Sequence, residues 1–536
     1  MGVRFSIIFL ILILLYAGLT INLYDLQIKK GVQYLARAES QFRAAGEFEP
    51  ERGNIFFTDK NNAVIPAAIR KYYPKIFAVP KEIDNPELVA DRLAPILGMT
   101  VEKILERISS ESHYRLLKRR VSSELANQIQ SLNLTGIYAH PESHRFYPHN
   151  SLASHVLGFV SEGSGRYGME AFYNEILKGE RGYVSEDRVV MPKNGRDIHL
   201  TIDYYVQVAA EEILGKLVDT HSADGGLVIV MHPQKGDILA MAGLPNFDPN
   251  RFGEFKMQTF PNRAVQAIYE PGSIFKVITM AAGIDSGKIS PETEFVDEGR
   301  VVVNNRTISN WDFRAHGRVT MTNILERSIN TGTVFAVQKM GRDIFYNYLR
   351  RFRINERTGI DLVGEIRGDI RNLRENRDIY FATASFGQGI AVTPIGLLTA
   401  INAIANGGIM VSPRFLADSS TKTNRVISES SSRQVVEMMV SAVDRGRVAQ
   451  ISGYTVAGKT GTAQVPDLAA GGYTDEVFNT FVGFAPAYEP RFIVFMRLDK
   501  PAGSPLASQT LVPAFREFTQ FLLNYYDVLP DRIDQR

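Results

Sequence analysis

The sequence predicts an α+β protein carried on a single N-terminal membrane-spanning helix, with a mixed α/β module ahead of a larger α+β domain. Three observations carry this. A long uncharged apolar run opens the chain, short apolar runs alternate with helical patterns behind it, and beyond residue 197 strands stand at both ends of a mostly helical stretch. That last arrangement predicts a sheet that joins the N- and C-terminal segments of one domain.

Composition bounds the rest. The 536 residues are 45% hydrophobic and 22% charged, with 43 Gly and 24 Pro, which fits globular domains and excludes wholesale disorder, collagen and coiled coil. Sixty basic against 58 acidic residues leave a net charge of +2, too little for a nucleic-acid footprint. Zero cysteines exclude disulfides, a thiol nucleophile and Cys-ligated zinc or iron-sulfur centres.

Phe5 to Leu23 carries no charge and spans roughly 28 Å as a helix, enough to cross the hydrocarbon core. It is longer than a signal-peptide core, and Ala17-Gly18-Leu19 is a poor cleavage site, so an uncleaved anchor is expected. Residues 1–4 form a short tail, 5–23 the anchor and 24–45 a stalk in which Gln27 to Ala45 has the pattern of an amphipathic helix. Arg4 and the terminal amine are nearly balanced by Lys29 and Lys30 beside Asp25, so charge alone leaves the orientation open.

The mixed module covers 46–185. Tyr73 to Val79 has the character of a strand, and Pro86 to Leu97 and Val101 to Ile108 that of helices. His140, His144, His149 and His155 cluster in sequence, but Pro141 and Pro148 break any shared helix and neither an H-E-x-x-H pattern nor a Cys partner is present. Packing or surface histidines are the expectation.

The larger domain covers 197–530. Gly226 to Met231 and Asp237 to Ala242 flank a Pro/Gly turn and predict a hairpin. Thr480 to Phe484 and Phe492 to Arg497 predict two more buried strands, followed by a helix from about Val512 to Tyr525. Between them, Met321 to Leu325, Thr331 to Met340 and Pro394 to Asn406 are helical, and serine-rich Asp418 to Arg433 is expected to be a solvated loop.

Three short motifs carry chemistry. Ser273-Ile-Phe-Lys276 follows Glu270-Pro-Gly272 and precedes an apolar run, which places Ser273 in a first helical turn with Lys276 on the same face. A desolvated lysine there can take a hydroxyl proton, and the helix N-terminus favours developing negative charge. Alone this is weak, since Ser-x-x-Lys is expected about twice by chance, and Ser419 to Lys422 repeats the spacing in the polar stretch. Ser328-Ile-Asn330 has a similar double in Ser131-Leu-Asn133. Lys459-Thr460-Gly461-Thr462 occurs once, where about 0.1 Lys-Thr-Gly triplets are expected, and its flanks suggest a strand edge able to take an extended peptide. Each motif has a bland reading as helix cap or edge guard. In this order on helix, interhelical loop and strand, those readings fail together.

The ordered triplet resembles that of penicillin-binding proteins and serine β-lactamases. Arg52-Gly-Asn-Ile55, Arg145-Phe-Tyr-Pro148, Leu152 to Gly158, Gly168-Met-Glu170 and Gly179-Glu-Arg-Gly182 are similar to the pedestal motifs of class B penicillin-binding proteins. Leu244 to Asn250, Asn262-Arg-Ala264, Phe386-Gly-Gln-Gly389 and Thr393-Pro394 are similar to their transpeptidase domain, most like the division-specific branch. The resemblance implies a dimerisation-type pedestal and a transpeptidase domain with an antiparallel sheet flanked by helices.

It further implies a peptidoglycan D,D-transpeptidase acting on D-Ala-D-Ala stem peptides through a serine acyl-enzyme, inhibited covalently by β-lactams and needing no metal or organic cofactor. Ser273 would be the nucleophile, Lys276 the acylation base, Ser328 a proton relay, Lys459 an electrostatic partner and Asn330 a holder of the donor amide. Thr460, Gly461 and Thr462 would bind the donor, with the backbone N–H groups of Ser273 and Thr462 as oxyanion hole. The expected partners are the cytoplasmic membrane, a polytopic SEDS-type glycan polymerase and other division proteins, with no nucleic acid. The substrate lies outside the bacterial cytoplasmic membrane, which sets the N-terminus inside. An elongation-specific transpeptidase, a β-lactamase using Glu365 and a catalytically quiet scaffold or β-lactam-binding receptor are the alternatives.

Overall fold

The computed structural model describes residues 2–25, 50–109, 112, 114–184, 189–416, 421–446, 449–467, 471–503 and 506–532. The amphipathic stalk helix expected at Gln27 to Ala45 therefore lies outside the described residues, as does Ser419 of the repeated Ser-x-x-Lys spacing. The first helix is Gly2–Tyr24. Within it, Ile7–Tyr24 has a mean hydropathy of 2.4, long and apolar enough to cross a membrane.

The chain forms two compact units, one of Met1–Asn54, Ile69–Phe146 and Glu175–Asp197, the other of Ile55–Ala68, Tyr147–Asn174 and Ile198–Arg536. In the first, the long strand Ile65–Ala78 contributes its later residues, which pair antiparallel with Ile137–Phe146 and, at the end, with Arg115–Lys118. Helices Pro86–Leu97, Val101–Ile108 and Ser123–Ser131 start where Asn85, Thr100 and Ser122 accept from free backbone N–H groups. They bury Val89, Leu93, Leu97, Ile104 and Ile129 with Ile76 of the strand.

His140 and His144 lie on that strand pair, not on a helix, because Pro141 fits an extended ladder. His144 contacts Glu142 at 3.0 Å and accepts from Arg120 Nε at 3.1 Å. In the second unit, the His149 ring packs 4.8 Å from Tyr204, and His155 donates to the Thr259 carbonyl at 2.9 Å, burial driving its pKa to about 4.

The second unit is organised by a five-stranded antiparallel sheet, in the order Ile238–Leu244, Gly225–Met231, Phe492–Asp499, Tyr473–Ala485 and Ala457–Pro466. Gly225–Met231 and Phe492–Asp499 are buried throughout, which explains the apolar runs Gly226–Met231 and Phe492–Met496, and the buried Arg497 and Asp499 pair with each other. Helices Tyr204–His221 and Ala507–Tyr525 cover one face through Ile213, Leu214, Phe515 and Leu522. In helix Lys276–Asp285 every residue except Asp285 is buried.

The described part of the polar stretch, 421–433, is more ordered than its composition suggests. Thr423–Arg425 pairs with Ile409–Val411, and a helix begins at Glu429 and runs to Gly446. Ser431 and Ser432 lie on its buried face, with Ser432 Oγ donating to the Ile404 carbonyl at 2.5 Å, so serines here serve the core.

Phe515 joins the sheet to its covering helix, its ring 4.4 Å from Phe481 and close to where a side chain at Gly483 would stand. Phe515→Ala should lower unfolding free energy by roughly 3–5 kcal/mol, read as a reduced denaturation midpoint in detergent-solubilised protein.

Candidate active site

Ser273 sits in a 3-10 turn, Gly272–Phe275, that runs into helix Lys276–Asp285. The turn lies tight against strand Ala457–Pro466, and two glycines make this possible. A Cβ on Gly461 would stand 2.4 Å from Thr480 Oγ1 and 3.0 Å from Ile274 Cγ1. Gly272 has φ +60°, and a Cβ there would meet Ala463 at 3.0 Å. Its N–H donates to the Gly387 carbonyl at 3.0 Å, which binds the Phe386–Gly389 turn to the same place.

Lys276 is fully buried. Its Nζ donates to the Ser328 carbonyl at 2.5 Å, to Asn330 Oδ1 at 2.8 Å and to Ser328 Oγ at 3.3 Å. Lys459 approaches from the sheet and donates to the same Ser328 Oγ at 3.2 Å and to the Thr460 carbonyl at 3.0 Å. The motif spacing placed Ser273 and Lys276 on one helical face, yet among the described residues the Ser273 hydroxyl has no hydrogen-bond partner. Lys276 points at the Ser-x-Asn loop because three acceptors converge there.

Burial pushes Lys276 well below the ordinary lysine value, and the like charge of Lys459 adds to this. Burial alone brings Lys459 down to about 8. A lysine so shifted can be neutral near physiological pH and accept a proton.

Ser328 terminates helix Met321–Arg327 with φ +58°, a left-handed conformation uncommon for serine, and Asn330 opens helix Asn330–Met340. The loop is held by residues the motifs did not reveal. Buried Asn310 Oδ1 accepts from Asn330 N at 3.1 Å, and its Nδ2 donates to Asp297 Oδ2 at 2.8 Å. Asp297 also takes the Thr331 hydroxyl at 2.5 Å and the His316 N–H at 2.9 Å. Asn330 Nδ2 donates to the Ser309 carbonyl at 3.0 Å, which turns its Oδ1 toward Lys276. Asp297 and Asn310 look like ordinary turn residues in the sequence, and only the fold brings them under Ser328.

A cavity of about 790 Å³ opens here, lined by Ser273, Ser328, Asn330, Lys459, Thr460 and Thr462 among others. Trp311 stands in its wall, its Nε1 donating to the Arg327 carbonyl at 3.2 Å. Strand Ala457–Pro466 is the last in its sheet, so its outer edge can pair with an extended chain. Gly461 lies between the two threonines and serves the close approach of the Ser273 turn. Ser131, of the second Ser-x-Asn, belongs to the other unit and donates to its own helix at Gln128. Glu365 accepts from Thr358 N and Oγ1, both at 2.6 Å, and from Gly359 N at 3.0 Å, holding a turn of its own.

A hydroxyl without a partner, two buried lysines sharing a second hydroxyl, and an open strand edge together suit acyl transfer to and from Ser273. Residues 226–520 match the penicillin binding protein transpeptidase domain, and residues 47–200 the penicillin-binding protein dimerisation domain. Stage V sporulation protein D of Bacillus subtilis is 32% identical, over 94% of this chain and 82% of that protein. The probable peptidoglycan D,D-transpeptidase PenA of Neisseria meningitidis is 29% identical, over 99% of this chain and 94% of that protein. Among solved structures, a peptidoglycan synthetase from Bifidobacterium adolescentis superposes with a TM-score of 0.73 at 28% identity, over 91% of this chain and 98% of that one. Penicillin binding protein 3 of Mycobacterium tuberculosis, complexed with aztreonam, gives 0.71 at 25% identity, over 90% and 98%.

The two lysines are electrostatically linked, which gives a test of the geometry. Lys459→Gln removes a like charge facing Lys276, so the Lys276 titration should move to higher pH, followed by the NMR shift of its labelled Cε.

Proposed function

We propose, on the premise that this chain belongs to the penicillin-binding protein transpeptidase family and is a serine-type peptidoglycan D,D-transpeptidase, that Ser273 forms the acyl-enzyme and that the two lysines around Ser328 move its protons. The single observation that supports this most is the convergence of Lys276 and Lys459 on Ser328 Oγ, at 3.3 and 3.2 Å, beside an unpartnered Ser273 hydroxyl.

Ser273 Oγ attacks the carbonyl between the two terminal D-alanines while Lys276, neutral, takes its proton. The proton passes through Ser328 to the leaving amine, and the departing D-alanine carries it away. The Ser273 and Thr462 N–H groups stabilise the oxyanion. Lys459 supplies positive charge, Thr460 and Thr462 hold the terminal carboxylate, and Asn330 both orients Lys276 and receives the donor amide. An amine of a second stem peptide then resolves the ester by the reverse proton path. β-Lactams enter as substrate mimics and stay bound as an ester that water resolves slowly. The engagement of Glu365 in its own turn favours a transferase over a hydrolase.

The apolar helix Gly2–Tyr24 anchors the chain with the N-terminus inside, residues 46–185 form a dimerisation-type domain and residues 197–530 the catalytic domain. The anchor's Ala17, Gly18 and Thr20 offer a close-packing face to a polytopic SEDS-type glycan polymerase. Septal synthesis is the favoured setting. Relatives named Peptidoglycan D,D-transpeptidase FtsI, from Buchnera aphidicola, and Stage V sporulation protein D frame the choice between division and sporulation.

Ser273→Ala should abolish penicillin labelling and crosslinking while the fold persists, and mass spectrometry of the wild type should place the adduct on the Ser273 peptide; an adduct on Ser328 would overturn the assignment. Lys276→Arg should be nearly as damaging as Lys276→Ala, because a guanidinium stays charged. The acylation rate should rise with pH as Lys276 loses its proton, well below the ordinary lysine range, and fall again above about 8 as Lys459 discharges. In Lys459→Gln the falling limb should vanish.

A further inference from the structure

Glu270 lies three residues before Ser273, on the turn that leads into the nucleophile helix, and takes no part in the proton path proposed above. Among the described residues no cation neutralises it. Its two oxygens instead divide between two other elements. Oε1 accepts from the Gly389 N–H at 3.1 Å, and Oε2 accepts from the Tyr473 hydroxyl at 3.0 Å.

Both donors come from segments that border the cavity. Gly389, with φ +70°, ends the Phe386–Gly389 turn, whose Gln388 lines the cavity and whose Gly387 carbonyl holds the Gly272 N–H. Tyr473 begins strand Tyr473–Ala485 and pairs with Pro466, the far end of the Lys-Thr-Gly strand. One carboxylate thus ties the nucleophile turn to both. Burial holds the Glu270 carboxyl and the Tyr473 phenol above their ordinary values, so neither is fully hydrated and the bond between them replaces water. Hydrogen bonds to an ionised acceptor are roughly twice as strong as neutral ones.

We infer that Glu270 is a positioning residue, a clasp that fixes the Lys-Thr-Gly hairpin and the Phe386–Gly389 turn against the nucleophile turn so that Ser273 and the strand edge keep the spacing acylation needs. The inference rests on the reading of Ser273 as the acylated residue. The strand beside Ser273 is already close-packed at Gly461 and Gly272, so a small slip of the hairpin end would be felt at Thr462. Tyr473 acts through Glu270 and touches no reacting atom.

The test uses the full chain in detergent, with Glu270→Ala, Glu270→Gln, Tyr473→Phe and the double variant Glu270→Ala/Tyr473→Phe. Stopped-flow labelling with fluorescent penicillin separates encounter affinity from the acylation rate constant. Glu270→Ala and Tyr473→Phe should each slow acylation on the order of tenfold, with encounter affinity within about twofold, a scatter worth well under 1 kcal/mol. The double variant should be no slower than Glu270→Ala, since both remove one clasp, and Glu270→Gln, whose amide oxygen can accept from the Gly389 N–H while its NH2 donates to the Tyr473 hydroxyl oxygen, should recover most of the rate. Wild-type rates in both single variants, a loss confined to affinity, or additive losses would overturn the clasp. Hydrogen exchange needs no acylation and separates the two readings. Faster exchange at Gly389 and residues 473–477 in Glu270→Ala supports the clasp even if the adduct maps away from Ser273, whereas unchanged exchange there overturns it with Ser273 intact.

Discussion

Two ammonium groups withdrawn from water on either side of one hydroxyl are the constraint around which the catalytic unit is arranged. Lys276 and Lys459 are both buried, and among the described residues neither has a carboxylate at salt-bridge distance. Their acceptors are carbonyl, amide and hydroxyl oxygens. Without a counter-ion, two such charges cannot both be held cheaply in a medium of low dielectric. The stable solution is to leave one amine neutral, which is the state a base requires. The surrounding detail follows from keeping that arrangement rigid. Ser328 is held in a left-handed conformation, Asp297 and Asn310 fix the loop that follows it, and glycines admit the Ser273 turn to the sheet.

The sheet ties the motifs together across the chain. Gly225–Met231 pairs with Phe492–Asp499, far apart in sequence, and the Lys-Thr-Gly strand joins the same sheet only through Tyr473–Ala485. Lys459 is therefore placed by pairings between segments far apart in sequence, whose closure costs more chain entropy than local contacts do.

Much of this was legible in the chain itself. Pro86 to Leu97 and Val101 to Ile108 were readable as helices because their caps and apolar spacing are local, and both have those bounds in the structure. The sheet strands stood out because burial on both faces leaves continuous apolar runs. Ser273, Ser328, Asn330 and Lys459, from the three motifs, line one cavity. What stayed hidden depends on distant partners. Thr423–Arg425 is polar and becomes a strand only beside Ile409–Val411, and serines at 431 and 432 face the core because they share the buried face of their helix with Val435, Val436, Met438 and Met439. The spacing in Ser273 to Lys276 says nothing of Lys276 turning to Ser328, because that choice is made by acceptors 52 and 54 positions away.

Trp311 is the single tryptophan in the chain, and it stands half-exposed in the cavity wall with its indole N–H on the carbonyl just before Ser328. Indole emission depends on hydration and on nearby charge, so tryptophan fluorescence, excited where tyrosine does not absorb, reports from this one position. The chain is in effect its own optical sensor. Entry of an unlabelled ligand, the change of proton occupancy on the nearby lysines and release of product can each be timed without attaching a dye.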